Sequence, residues 1–113
     1  MKCLTVFFLL ILSALVQAQD LSKEFAKVAE PLKGKISARY IELLRVAPGA
    51  KGKVAFEIYI SKNGNLKSCT VKHSDFNKPN FEQSICDLYK SINYSSMSVK
   101  QVKFVYENQF FSM

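Results

Sequence analysis

Residues 53–61 alternate almost without fault. Val54, Phe56, Ile58 and Ile60 fall on one side, with Ala55, Glu57 and Tyr59 between them. A period of two sustained over this length describes a half-buried β-strand. Asn63-Gly64 follows, the strongest short-range signal for a two-residue type I′ hairpin. Such a turn fixes the register of the returning strand: Ile58 faces Cys69, Phe56 faces Val71 and Val54 faces His73. The apolar members of both strands then share one sheet face. Leu66 is the exception, because this register puts it on the other face opposite Ser61.

The rest of the chain supplies helices and one more strand. After a linker over 74–79, Phe81, Ile85, Leu88, Tyr89 and Ile92 recur at helical spacing, with Asn80 placed to cap and Gln83 at the third position of a capping box. Upstream, Asp20 is a candidate cap for a helix carrying Leu21, Phe25 and Val28, and Pro31 interrupts that pattern. A second helical stretch has Ile36, Tyr40, Ile41 and Leu44 on one side, and Arg39, Glu42 and Arg45 elsewhere. It ends at Pro48-Gly49. Residues 99–111 read as a final strand with Val102, Phe104, Tyr106 and Phe110 in phase.

Topology follows from direction and handedness. The helix after the hairpin carries the chain back across the sheet, so the last strand runs parallel to the second and antiparallel to the first. The right-handed crossover rule places it beside the first strand. The expected fold is therefore α+β: β-β-α-β with a three-stranded antiparallel sheet in the order 2-1-3. One helix covers the sheet, and one or two N-terminal helices precede it. Both outer strands have an unpaired edge, and the last strand is the longer. An apolar open edge is a hazard unless a partner uses it.

Met1-Lys2, the apolar run from Leu4 to Val16, and Val16-Gln17-Ala18 have the three parts of a secretory signal peptide. The apolar run is shorter than the roughly 20 residues a spanning helix needs. The expectation is cleavage after Ala18, export to the periplasm or medium, and no stable membrane anchor afterwards. Cys3 leaves with the leader. Cys69 and Cys86 remain, an even pair in an oxidising compartment, and are read as a disulfide, with two buried free thiols as the alternative. A separation of 17 residues does not fit a Cys-x-x-Cys redox pair, and two Cys with one His are too few for a closed zinc site. The boundaries are 1–18 for the signal peptide, 19–35 for an N-terminal helical segment and 36–113 for the domain.

Little in the sequence suggests catalysis. His73 is the only histidine and no carboxylate constellation surrounds it; it reads as a strand-end residue. Ser95, Ser96 and Ser98 lie in a polar loop without a nucleophile elbow. Four glycines form no phosphate loop, so no cofactor is implied. The chain of 113 residues carries 16 Lys and Arg against 9 Asp and Glu, a formal +7. The basic residues are scattered rather than run together, which argues against nucleic acid. Lys51, Lys53, Lys72, Lys100 and Lys103 are a candidate basic patch; a solvated basic surface is the plainer reading.

Gly52-Lys53-Val54-Ala55-Phe56-Glu57-Ile58, then Asn63-Gly64-Asn65-Leu66 and Val71, resembles the opening hairpin of the TonB C-terminal domain family and of the related AgmX/PglI C-terminal domain. His73-Ser74 sits where that family's strand ends in a serine. Phe81-Glu82-Gln83-Ser84-Ile85, with Tyr89, resembles the family's helix, and Ile92 and Tyr94 stand in place of its usual Trp-x-Phe. Val102 to Tyr106 and Phe110-Phe111 are similar to its last strand. Tyr40 to Leu44, leading to Pro48, resembles the helix before the hairpin. The resemblance covers about residues 36–111.

What the resemblance implies is a non-enzymatic interaction module of the periplasm, connected with outer-membrane transport. It would take an extended peptide of an envelope protein as an added strand beside its last strand. Carried over, the binding edge is Val102, Lys103, Phe104, Val105, Tyr106, Glu107, Asn108, Gln109 and Phe110. A TonB energy transducer also needs a retained membrane helix and a long Pro-rich spacer. Neither is expected here, so the chain reads as a solitary binding domain that does not transmit force. Two other readings stand beside it: a small secreted inhibitor or ligand-binding domain, cystatin-like in size, using Lys62 to Asn65; and a homodimer pairing its last strands.

Overall fold

The computed structural model describes residues 20–111. The leader, its cleavage site and Cys3 lie outside the described residues. A helix over residues 20–28 (α1) leads into a 3₁₀ turn, Glu30–Leu32, and then α2, Lys33–Val46. β1 (Gly52–Ile60) and β2 (Leu66–Ser74) form the hairpin, α3 spans Pro79–Lys90, and β3 is Lys103–Phe110. The sheet order is β2-β1-β3, and both pairings are antiparallel. The fold is α+β with the expected layout.

The hairpin register holds through its middle, with Ile58 opposite Cys69 and Phe56 opposite Val71. At both ends it shifts. Val54 pairs with Ser74 rather than His73, which faces Ala55, and Ile60 pairs with Leu66. Each shift leaves one β2 residue over, Lys72 in one bulge and Lys67 in the other. The second bulge returns Leu66 to the core face, where it is buried. The turn is not type I′, since that type needs positive φ at both central residues and Asn63 is not among the positive-φ positions. Instead Gly64 N–H donates to the Ser61 carbonyl (2.9 Å) and Ser61 N–H to the Asn65 carbonyl (2.8 Å). Gly64, at φ +87°, is the left-handed residue that closes a longer turn. A Cβ there would lie 2.4 Å from the Ser95 backbone nitrogen, so the position requires glycine on two counts.

The helices lie on the Phe56 side of the sheet. The Tyr89 ring of α3 packs edge-on to Phe56 of β1, with centroids 5.9 Å apart. Cys86 is bonded to Cys69, tying α3 to β2 across a Cα–Cα distance of 5.8 Å. From α1, Phe25 is wholly buried among Tyr89, Tyr94, Phe104 and Tyr106. Residues 21–32 thus contribute to the same core as the sheet. The far face of the sheet is polar and carries the ion pairs Lys53–Glu107 (3.7 Å) and Lys72–Glu57 (3.3 Å).

Four local expectations change. The buried side of α2 is Ile36, Tyr40 and Leu43, while Ile41 is 52% exposed. The apolar stripe therefore follows the i, i+4, i+7 row, one position off the expected one. Asp20 is itself helical, and the residue before it lies outside the described part. α3 starts one residue early because Pro79 occupies its first turn, so neither Asn80 nor Gln83 caps it. Glu82 serves the start of α3 instead: its Oε2 accepts from the Lys78 N–H (3.0 Å) and from the Ser74 hydroxyl (2.6 Å). Ser74 Oγ in turn accepts from the N–H groups of Phe76 and Asn77. Finally, β3 begins at Lys103. Gln101 adopts φ +67°, which no strand continues through, so Val99 to Val102 are not part of the sheet.

Candidate functional site

In an antiparallel strand the N–H and C=O of successive residues point to alternate sides. The Lys53 carbonyl accepts from Asp75 N–H (3.0 Å) on the β2 side, and the Ile60 carbonyl accepts from Gln101 N–H (2.8 Å) on the β3 side. Even-numbered β1 residues therefore bond β3, through Phe104, Tyr106, Asn108 and Phe110. The backbone groups of Lys103, Val105, Glu107 and Gln109 are left pointing away from the sheet. Among the described residues no other strand pairs with them. One group is touched by the protein itself: Ser22 Oγ of α1 donates to the Val105 carbonyl at 3.2 Å.

The expected edge residues thus divide by role. Lys103, Val105, Glu107 and Gln109 present the free backbone and are exposed, Val105 by 48%. Phe104 and Phe110 are buried and hold the strand to the core. Tyr106 and Asn108 are half-buried, and the Asn108 amide donates to the Tyr89 hydroxyl. Val102 precedes the strand and offers no ladder groups.

The two outer strands differ. β2 is bulged twice, at Lys67 and Lys72, which distorts its ladder and places a charge at each irregularity. β3 pairs over its whole length without a register shift. Of the two outer strands, only β3 keeps an unbroken ladder along β1.

α1 is fastened near that rim. Glu24 accepts from both the Ser98 hydroxyl and the Ser98 N–H. These two bonds, with a smaller contribution from Lys100, hold its carboxyl below the usual value against a burial penalty. The hairpin tip is also engaged: Tyr94 N–H donates to the Gly64 carbonyl (2.7 Å), and the Asn93 amide reaches Asn63. The surface at Lys62 to Asn65 is therefore partly taken up by residues 93–95.

The candidate basic patch does not form one surface of free cations. Lys53 and Lys72 are paired with Glu107 and Glu57, and Lys100 Nζ donates to the carbonyls of Ser95 and Met97. Among the described residues no group of three His, Cys, Asp or Glu side chains is placed to hold a metal ion, and no helix is long and apolar enough to cross a membrane.

His73 lies near the end of β2, one residue before Ser74, and has a partner that sequence reading missed. Its Nε2 lies 2.8 Å from Asp75 Oδ1, while Asp75 Oδ2 accepts from Lys53 N–H (3.0 Å). Gly52 leaves room for this clasp: a Cβ there would sit 2.6 Å from that of Asp75. The Lys53 N–H bond, then the His73 bond, lower the Asp75 carboxyl below its ordinary 3.8. A lowered folded value contributes stability above the unfolded value, and that contribution disappears as pH falls through the folded one. We expect Asp75→Asn to be less stable than the native protein at pH 5–7. The gap should close below about pH 3.8, read as converging urea midpoints.

No protein-family model, curated protein or solved structure matches the chain.

Proposed function

We propose that this protein is a non-enzymatic interaction module of the periplasm, similar to a TonB C-terminal domain, that binds an extended segment of an envelope protein by β-augmentation at β3. The observation that carries this reading is the unbulged outer edge of β3, where Lys103, Val105, Glu107 and Gln109 turn their backbone groups outward. Backbone bonds along that edge would supply affinity and alternate side chains selectivity. The Ser22 hydroxyl on Val105 is a single bond that a guest strand can replace.

The outward N–H groups allow a clean test. Proline at Val105 or Glu107 removes a donor that β1 does not use, so the internal ladder survives. Protein carrying either substitution should keep its circular dichroism and thermal midpoint. Affinity capture from periplasm and outer membrane should enrich one envelope protein on the native chain, at least ten-fold less on either proline variant. Capture indifferent to both, yet lost on changing Lys62 to Asn65, would overturn the edge in favour of the hairpin tip. A concentration-dependent dimer abolished by the same prolines would assign the edge to a second copy of the chain.

A further inference from the structure

The rim of β3 has two unlike halves. Beside Val105 the N-terminal part of α1 stands close enough for Ser22 to bond the strand. Toward Phe110 the chain leaves α1, bends through Glu30–Leu32 and enters α2, whose Tyr40 ring packs on Phe110 with centroids 5.1 Å apart. Between this bend and the C-terminal half of β3 lies a hollow of about 610 Å³. Its walls include Ala26, Ala29, Ile36 and the rings of Tyr89, Tyr106 and Phe110. That volume is within the roughly 300–1,000 Å³ of ligand pockets.

Four residues of the C-terminal half of β3, Tyr106, Asn108, Gln109 and Phe110, line the hollow. Tyr106, Asn108 and Phe110 turn their side chains toward the helices, and a strand paired with Glu107 and Gln109 turns every second side chain the same way. Aromatic walls favour an aromatic insert in edge-to-face or offset contact. The rim is basic. Lys27 is exposed and has no carboxylate within ion-pair distance among the described residues, whereas Lys33 shares Glu30 at 3.4 Å.

We propose that this hollow is the selectivity pocket of the edge. It takes an aromatic side chain from the extended guest segment, and an Asp or Glu within two residues of that side chain meets Lys27. The proposal rests on the β-augmentation reading, and one experiment separates the two.

The full-length protein is used to select from a phage-displayed library of random dodecapeptides, and enriched peptides are titrated against variants. Enriched peptides should share an aromatic residue with an acidic neighbour. Ser37→Trp, which fills the hollow from an exposed wall position, should weaken them at least ten-fold. Lys27→Glu should weaken them at least five-fold, and Glu107→Pro should abolish binding. Thermal midpoints identify any variant that misfolds, and Lys27→Glu is a surface change that leaves the core untouched. Peptides lost with Glu107→Pro but indifferent to Ser37→Trp and Lys27→Glu would overturn the pocket and leave the edge standing. Peptides indifferent to Glu107→Pro would overturn the edge, and the pocket with it. Failure to enrich any shared sequence also overturns the pocket.

Discussion

Truncating Phe25 to alanine is expected to cost the domain about 3–5 kcal/mol, the range for a fully buried phenylalanine. Its ring has no exposed surface and sits 4.9–5.6 Å, centroid to centroid, from Tyr89, Tyr94, Phe104 and Tyr106. Three of these neighbours come from different elements: α3, the loop before β3, and β3 itself. A cavity there cannot be filled by moving one side chain, which places the loss toward the upper end. Against a total stability of roughly 5–15 kcal/mol, that is a large fraction. Urea denaturation checks it, with Lys23→Ala on the exposed side of the same helix as the control, expected within about 0.5 kcal/mol of native. A loss under about 1 kcal/mol for Phe25→Ala would mean that α1 is an appendage. The substitution should also loosen Ser22 from Val105, so the edge would become more accessible as the fold weakens.

Removing the disulfide by Cys69→Ala with Cys86→Ala is expected to cost about 3 kcal/mol, the chain-entropy value for a loop of this length. For a domain of this size that corresponds to a thermal midpoint lowered by roughly 12–24 °C. The bond encloses the Lys72 bulge, the His73–Asp75 clasp and the start of α3. Reduction should therefore expose the β2–α3 junction before the β1–β3 ladder, visible as earlier amide exchange at residues 71–80. Intact mass before and after reduction should differ by two hydrogens. Two thiols titrating in unreduced protein, or a midpoint unchanged by the double substitution, would refute the expectation.

The middle of the hairpin was legible because alternation and turn spacing both act locally. The bulges were not, since they depend on how two strands fit across the sheet. Leu66 did carry a warning: an apolar residue on the solvent side of an otherwise consistent register implies that one residue has been skipped. The strand order followed from strand direction and the handedness of the crossover. Ile41 was misplaced because its apolarity does not reveal helical phase; Leu43 follows Tyr40 and Ile36 in the i, i+3, i+4 series, and the structure buries it. Glu82 was hidden for another reason. A buried carboxylate is recognisable only from its donors, and the Ser74 hydroxyl and Lys78 N–H come from outside the helix. Ser22 was equally invisible, because its contact joins residues 83 positions apart. The backbone edge could be read from topology, whereas the hollow beside it could not. Its walls come from α1, α2, α3 and β3, which meet only in the packed fold, through Phe25 on Tyr89 and Tyr106 and through Tyr40 on Phe110.

The order of strands also has a bearing on how the chain acquires its shape. β1 is the central and most apolar strand, and it closes one side with β2 almost at once across a short turn. Its second neighbour is encoded more than forty positions later, in the final described element. While the polypeptide is being made, the strand that becomes the middle of the sheet therefore spends the longest time as its margin. Completion waits on residues 103–110, and a chain interrupted before them would carry a sticky, half-bonded nucleus rather than a smaller version of the same protein.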